Sequence, residues 1–585
     1  MKLRTLAFII AVAVLSGCAG FRRETVAPGD FAGLRKQLGD LVAHKMKDAQ
    51  VEGASVVLVN GDATVLEAGY GVADKEGGRK ADADTLYCVG SVTKLFTATT
   101  IMRLVEQGKI DLDKPIKTYL PEFSIKSRFP EAGPITLRSI LTHHSGLPSD
   151  RLSGMFTKAP APYATILTAL RDEYVASPPW HAFSYSNLGF DVAAIVAERV
   201  SGKPYPEAVR EAVLRPAGMD ATTFDPTAPL VSKTYHDGAF DQEPGLRDTP
   251  AGGMYSSARD LGRFMRMVMA GGKSERGRVI EEATLDEMLR PQNAHVPLDF
   301  SFRIGLAWIL DHRASASDRV IGHNGATINY HTALAIDVGN KLGVALLTNS
   351  RRGGEIAGAI VADALEMARE ASGKKADPKV DRPAAAPDAD PAAIAAHAGF
   401  YSTVMGAAPL RAAGKALRYT NSGWDAEVFP LMDGTFGARL LLLGFFPLEL
   451  DQTREIRLAF RDVAGRHVLT AMAEGGEFYA GERLTARPLP DSWQARIGDY
   501  DISNLGDDHP LIHGLSVKER GGFAIVSGNV SGSPLPMTFA LQPISDDEAI
   551  ILGTGRSLGE TVRVVRGASG EKIVAAGYEL VRRQE

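Results

Sequence analysis

The stretch from 371 to 394 constrains this chain most, because it separates two parts that fold by different rules. It holds Lys374, Lys375, Asp377, Pro378, Pro383, Ala384, Ala385, Ala386, Pro387 and Pro391, an Ala/Pro/Asp composition with few groups able to build a core. Before it, helix-period and strand-period patterns are mixed. Beyond it, short strands and turn residues dominate. The 585 residues allow about three or four domains at roughly 150 residues each. At 45% hydrophobic content, cores of that size need no disulfide framework, and the two cysteines, Cys18 and Cys88, supply none. A net charge of -5 leaves no basic footprint for a nucleic-acid partner.

In the first part, Val56 to Val59 and Thr64 to Leu66 flank Asn60-Gly61-Asp62, a hairpin signal. Helical spacing follows from Ser91 to Gln107, with Val92, Leu95, Phe96, Met102 and Val105 near one face and Gly108 at the stop. A second helix is expected from Leu188 to Val200, ended by Gly202. Strands are expected over 305–310, 332–338 and 342–347, then a helix over 355–369. Strands at both ends with helices between them predict one α/β layered domain whose terminal strands share a sheet. In the second part, Ala396-His397-Ala398-Gly399-Phe400-Tyr401 and Ala495-Arg496-Ile497-Gly498-Asp499-Tyr500 share a frame 99 positions apart. Two small β-barrels are the expected result. The chain is thus read as multidomain: 37–370 an α/β layered unit, 371–394 a linker, 395–488 and 489–585 two β units.

The N-terminus is set aside from the fold. Met1 to Arg4 is positively charged, and Thr5 to Leu15 is an apolar run too short to span a bilayer comfortably. Leu15-Ser16-Gly17-Cys18 resembles the lipobox of bacterial lipoproteins, which implies cleavage after residue 17 and lipid on Cys18. Residues 18–36 then read as a tether, and the acyl chains would hold the protein on a membrane. Ala19 after the cysteine favours the outer membrane over the inner, on the periplasmic side, by the same resemblance. Cys88 reads as a small buried hydrophobe.

Three short motifs carry chemistry, and context selects one copy of each. Ser-x-x-Lys occurs at Ser91/Lys94, Ser372/Lys375 and Ser569/Lys572, but only Ser91 opens a long apolar helix. Residues i and i+3 are neighbours on a helix face, so Lys94 can place its amine beside the Ser91 hydroxyl. An ammonium cannot accept a proton, but burial and the positive end of the helix dipole lower the lysine pKa from its usual value near 10.4. Nucleophile, base and part of an oxyanion hole then come from one turn of chain. Tyr185, in Ser184-Tyr185-Ser186-Asn187 just before a helix, can relay a proton to a leaving group. Asn187 can cap that helix, line the site, or do both. His323 in Gly322-His323-Asn324-Gly325-Ala326 precedes a strand, and Gly325 would let substrate approach the backbone closely.

Together, Ser91-Val92-Thr93-Lys94, Tyr185-Ser186-Asn187 and His323-Asn324-Gly325 resemble the serine β-lactamase and penicillin-binding-protein family, on its class C and D-alanyl-D-alanine-peptidase side. Leu214 to Met219 and Pro250 to Ser257 are family-like too. The resemblance covers about 37–370 and implies an antiparallel sheet flanked by helices. It also implies an acyl-enzyme on Ser91, Lys94 as base with or without Tyr185, and Tyr185 as proton donor to the leaving group. The N–H groups of Ser91 and Ala326 would form the oxyanion hole. No cofactor or metal is called for. Substrates would be small D-amino-acid peptides or amides, with small esters as the alternative. Lactamases usually carry lysine where this chain has His323, so strong penicillin hydrolysis is not expected. The β units resemble the lipocalin-like domains of some D-aminopeptidase-type relatives, in which a loop can reach the cleft.

Rival readings fare worse. Gly555-Arg556-Ser557-Leu558-Gly559 imitates a nucleophile elbow, but no histidine follows Ser557. Gly272-Lys273-Ser274 imitates a phosphate loop, but Met267 stands where its first glycine belongs. No ligand-spaced cluster accompanies the adjacent His143 and His144, so a metal site is not expected. A non-catalytic cell-envelope binding protein on the same scaffold has no physical need for Ser91, Lys94 and Tyr185 together.

Overall fold

A computed structural model describes residues 21, 23–312, 319–374, 383–421, 424–442, 446–448, 457–473, 476–531, 536–568 and 570–584. The leader, Cys18 and residues 375–382 of the linker lie outside them. The main sheet has eight strands: β1 (Gly53–Asn60), β2 (Ala63–Asp74), β3 (Arg79–Lys80), β4 (Arg303–Ile304), β5 (Ile309–His312), β6 (Arg319–Ala326), β7 (His331–Asp337) and β8 (Leu342–Thr348). Their order is β4-β5-β6-β7-β8-β1-β2-β3, antiparallel throughout. The first and last long strands pair, Val57 opposite Ala345.

Side chains alternate across a strand, so a run apolar at every position must be covered on both faces. Val56, Leu58, Val344 and Leu346 pack beneath α1 (Phe31–Ala49) and α5 (Gly354–Ala371). Val57, Val59, Ala345 and Leu347 face the opposite layer, which contains α2 (Thr93–Glu106), α3 (Asn187–Ser201) and α4 (Ala258–Met269). The sheet therefore sits between two helical layers, and α2 and α3 carry their first turns toward β6.

Three boundaries differ from expectation, two of them in the first part of the chain. The strand expected over 305–310 begins only at Ile309, because Gly305 to Trp308 make a tight turn with Ala307 at φ 69°. The tether expected over 18–36 is folded from Arg23 onward: Arg23 forks onto Glu370 at 2.9 Å, Val26 is buried, and Asp30 caps α1 through Gly33 N–H. Leu34 and Leu38 are fully buried, which the polar, Gly/Pro-containing approach to the helix concealed. Leu34→Ala should cost about 2–5 kcal/mol, against under ~0.5 for a solvated tether residue. The midpoint of thermal unfolding checks this.

Beyond the linker stand two barrels. Strands from Gly399–Thr403 to Gly476–Leu484 form the first, closed by pairing of Trp424–Pro430 with Phe436–Leu442. Eight strands from Gly498–Ile502 to Tyr578–Arg582 close the second. The sequence frame has a structural counterpart: Tyr401 Oη donates to His397 O at 2.7 Å, and Tyr500 Oη donates to Arg496 O at 2.6 Å. Arg483 and Arg582 likewise donate to the carbonyls of Ala396 and Ala495. The later half of the expected linker belongs to the first barrel: Pro391–Ala395 is helical and buries Ile394, and Ala385 pairs with Leu431.

Candidate active site

Ser91 lies in a single 3-10 turn, Gly90–Val92, that leads into α2. Gly90 has φ 52°, and a Cβ there would stand 2.4 Å from Ala326 N. A Cβ on Gly325 would meet Val89 O at 1.9 Å. The two glycines thus let the end of β6 lie directly against the nucleophile turn, which brings the N–H groups of Ser91 and Ala326 to one place. Gly325 makes room for protein backbone and also lines the cleft.

Lys94 is fully buried, and Nζ has three neighbours. Asn187 Oδ1 lies at 2.7 Å, Ala251 O at 2.6 Å and Ser91 Oγ at 3.1 Å. Asp150 Oδ1 accepts from Asn187 Nδ2 at 2.6 Å. A carboxylate only accepts, so the amide nitrogen must face Asp150 and the amide oxygen must face Lys94. Ser186, not Asn187, caps α3 through Gly189 N–H, which frees the Asn187 side chain for this bridge. Two of the lysine neighbours can only accept. A neutral amine donates its two hydrogens to them and points its lone pair at the Ser91 hydroxyl. Burial pulls the Lys94 pKa down to about 7, helped by the charge of Arg556 and opposed by Asp150, Asp191 and Asp248.

Tyr185 reaches Ser91, and its ring stacks on His143 with centroids 4.1 Å apart. Burial pushes the phenol well above its ordinary value, so it stays protonated. His143 Nδ1 accepts from Ser186 N–H at 3.0 Å, which fixes the ring behind the tyrosine. His323 is also buried, and its pKa falls to about 4. Nδ1 stands 2.6 Å from Asn324 O, so that nitrogen carries the proton and Nε2 is the unprotonated one.

A cleft of about 690 Å³ opens over these groups, lined by Ser91, Tyr185, Asn187, His323, Asn324, Gly325 and Ala326. The second barrel contributes Leu511, Ser531 and Arg556 to the same walls. The pentapeptide that imitates a nucleophile elbow is the loop that carries Arg556. Ser184 Oγ donates to Gly555 O at 3.0 Å, Ser557 N–H donates to Ser149 Oγ at 2.8 Å, and Ser149 N–H donates to Glu560 at 2.8 Å. Arg556 donates to Asp150 Oδ2 at 2.8 Å, and its guanidinium lies 5.2 Å from the Tyr185 ring centre. Arg556, Asp150, Asn187, Lys94 and Ser91 are therefore one connected chain. Sequence reasoning singled out neither Asp150 nor Arg556. They lie 406 positions apart and meet only through the docking of the barrel.

All the sequence-selected groups that fall among the described residues converge here: Ser91, Lys94, Tyr185, Asn187, His323, Gly325 and Ala326. A turn that presents a hydroxyl to a buried amine that loses its proton near pH 7, with two backbone N–H groups beside it, can perform nucleophilic acyl transfer.

Comparison with known proteins agrees. The family model described as Beta-lactamase matches residues 38–366, more than half of the chain. Protein flp of Staphylococcus aureus (strain N315) is 23% identical over 328 residues, 54% of this chain and 63% of that protein. The D-alanyl-D-alanine-carboxypeptidase/endopeptidase AmpH of Escherichia coli (strain K12) is 28% identical over 225 residues, 37% of this chain and 57% of that protein. The chain spans less than two thirds of the length of these curated relatives. Among solved structures, SurE with D-Leu is 24% identical with TM-score 0.53, covering 77% of this chain and 100% of that one. The octameric penicillin-binding protein homologue from Pyrococcus abyssi is 22% identical with TM-score 0.52, covering 77% and 99%. Those two likenesses bear on the fold alone. The helix-flanked antiparallel sheet and the family match together place the chain: it belongs to the β-lactamase family of serine hydrolases.

Proposed function

We propose that Ser91 is the nucleophile of an acyl-transfer cycle that hydrolyses small peptides or amides, D-amino-acid compounds foremost. The observation that carries this reading is the Lys94 amine 3.1 Å from Ser91 Oγ with its other two contacts to obligate acceptors. As Ser91 Oγ bonds to the substrate carbonyl carbon, its proton passes to Lys94 Nζ. The N–H groups of Ser91 and Ala326 take the charge that grows on the carbonyl oxygen. Tyr185, held protonated, supplies the leaving group with a proton and is re-protonated from Lys94. Water then attacks the acyl-serine by the same path in reverse. His323 stays neutral and contributes polarity and shape rather than charge. The peptide side of the reading is supported by the carboxypeptidase/endopeptidase activity in the name of AmpH. Export and lipid attachment at Cys18 remain proposals that rest on Leu15-Ser16-Gly17-Cys18.

The test is turnover of an N-succinyl-D-amino-acid 4-nitroanilide by the full chain and by Ser91→Ala. Nitroaniline release that needs Ser91 is the expected result. Serine-dependent turnover of 4-nitrophenyl esters alone would replace the amidase by an esterase.

A further inference from the structure

We propose that the substrate is an anion and that Arg556, delivered by the second barrel, is the residue that selects it by binding its carboxylate beside the nucleophile. This deepens the acyl-transfer reading and rests on it for the position of the scissile bond.

The charge in the cleft points this way. Its charged lining side chains, histidines aside, are Arg556, Arg351 and Asp248. Asp248 is 1% exposed and accepts from Arg247 at 2.6 Å, so it offers no free negative face. Among the described residues, no hydrogen bond or ion pair reaches the Arg351 guanidinium. The open cleft therefore presents two guanidinium groups, Arg351 and the Asp150-paired Arg556, and no exposed carboxylate, and low-dielectric walls focus such a field on an incoming ligand. The cleft end of β6, His323 to Ala326, supplies no cation, because His323 is neutral.

The geometry of Arg556 leaves it free to bind. A guanidinium has five N–H donors. Arg556 uses Nε and one Nη2 hydrogen, both on the single oxygen Oδ2 of Asp150, at 3.2 and 2.8 Å. Asp150 is buried, whereas the Arg556 side chain is 54% exposed on the cleft side of the pair. Its loop is pinned at Gly555, Ser557 and Glu560, so little ordering is left for binding to pay for. The guanidinium flanks Tyr185, and Tyr185 touches Ser91. A carboxylate on Arg556 therefore sits a short spacer from the reacting carbonyl. Arg351 lies with His331, Gly354 and Ala357 along the same cleft and adds to the attraction there.

Two matched pairs test this. In the full Ser91→Ala chain, glutaranilic acid and valeranilide differ only by carboxylate against methyl. The acid should bind about ten- to a hundredfold more tightly, the worth of a charge-assisted hydrogen bond. The preference should fall with added salt. It should vanish in Ser91→Ala/Arg556→Gln and survive in part in Ser91→Ala/Arg556→Lys, which controls for folding. In the wild-type chain, mono-4-nitrophenyl glutarate should exceed 4-nitrophenyl valerate in kcat/KM by a similar factor. Equal affinities, no binding of the acid, or a preference that survives Arg556→Gln would overturn the proposal. A carboxylate preference in binding without turnover of either ester would leave the anion site standing and remove the acyl-enzyme reading instead.

Discussion

Replacing Ser91 by alanine should lower kcat/KM on any substrate by about 10⁴-fold or more, because the residual rate comes only from binding and the oxyanion donors. The change should spare the fold. Ser91 Oγ touches Lys94 and Tyr185, but its backbone, not its side chain, makes the turn that holds β6. Unfolding midpoints of wild type and Ser91→Ala should therefore agree closely while their rates do not. A variant that kept a tenth of the activity would show that the attacking oxygen lies elsewhere.

Lys94→Met should cost about as much, ~10³- to 10⁶-fold, since nucleophile and base act as one unit. The wild-type pH profile should carry the same information. Only the neutral amine can accept the serine proton, so kcat/KM should fall as pH drops through about 7. His323, near 4, titrates too low to produce that limb. Arg556→Gln removes a positive charge that holds the amine down, so the limb should move to higher pH in that variant. Stability supplies an independent check. The folded pKa is depressed from 10.5 to about 7, so between those values the unfolded chain binds a proton that the folded chain does not. Stability from this residue should rise by about 1.4 kcal/mol per pH unit across that window and be flat below it. The difference between wild-type and Lys94→Met unfolding free energies, measured from pH 6 to 10, should show that slope. A flat difference would mean that Lys94 is an ordinary ammonium.

How much was legible follows from sequence distance. The hairpin at Asn60-Gly61-Asp62, helix stops at Gly108 and Gly202, and the neighbouring positions of Ser91 and Lys94 are local physics, and each stands where the spacing placed it. Burial on both faces of Val56 to Val59 follows from an unbroken apolar run. Long-range meetings left weaker traces. Leu34 joins the core only because α1 packs on α5, and its local sequence reads as polar. Gly325 lines the cleft, and its lack of a Cβ also admits Val89 O, a backbone contact the local sequence does not show. Asp150 lies in no motif and Arg556 only in a false nucleophile elbow; the docked barrel brings them together. The frame of three matched residues in each barrel was a real signal, because Tyr401 and Tyr500 tie down the same carbonyl four residues back.

The central claim is that Ser91 is an activated nucleophile, and intact-mass analysis after treatment with a fluorophosphonate tests it most directly. One adduct on the wild-type chain, mapped to Ser91 and absent from Ser91→Ala, is the predicted result. A folded wild-type chain that gains no adduct, or a Ser91→Ala chain that gains the same one, would contradict it.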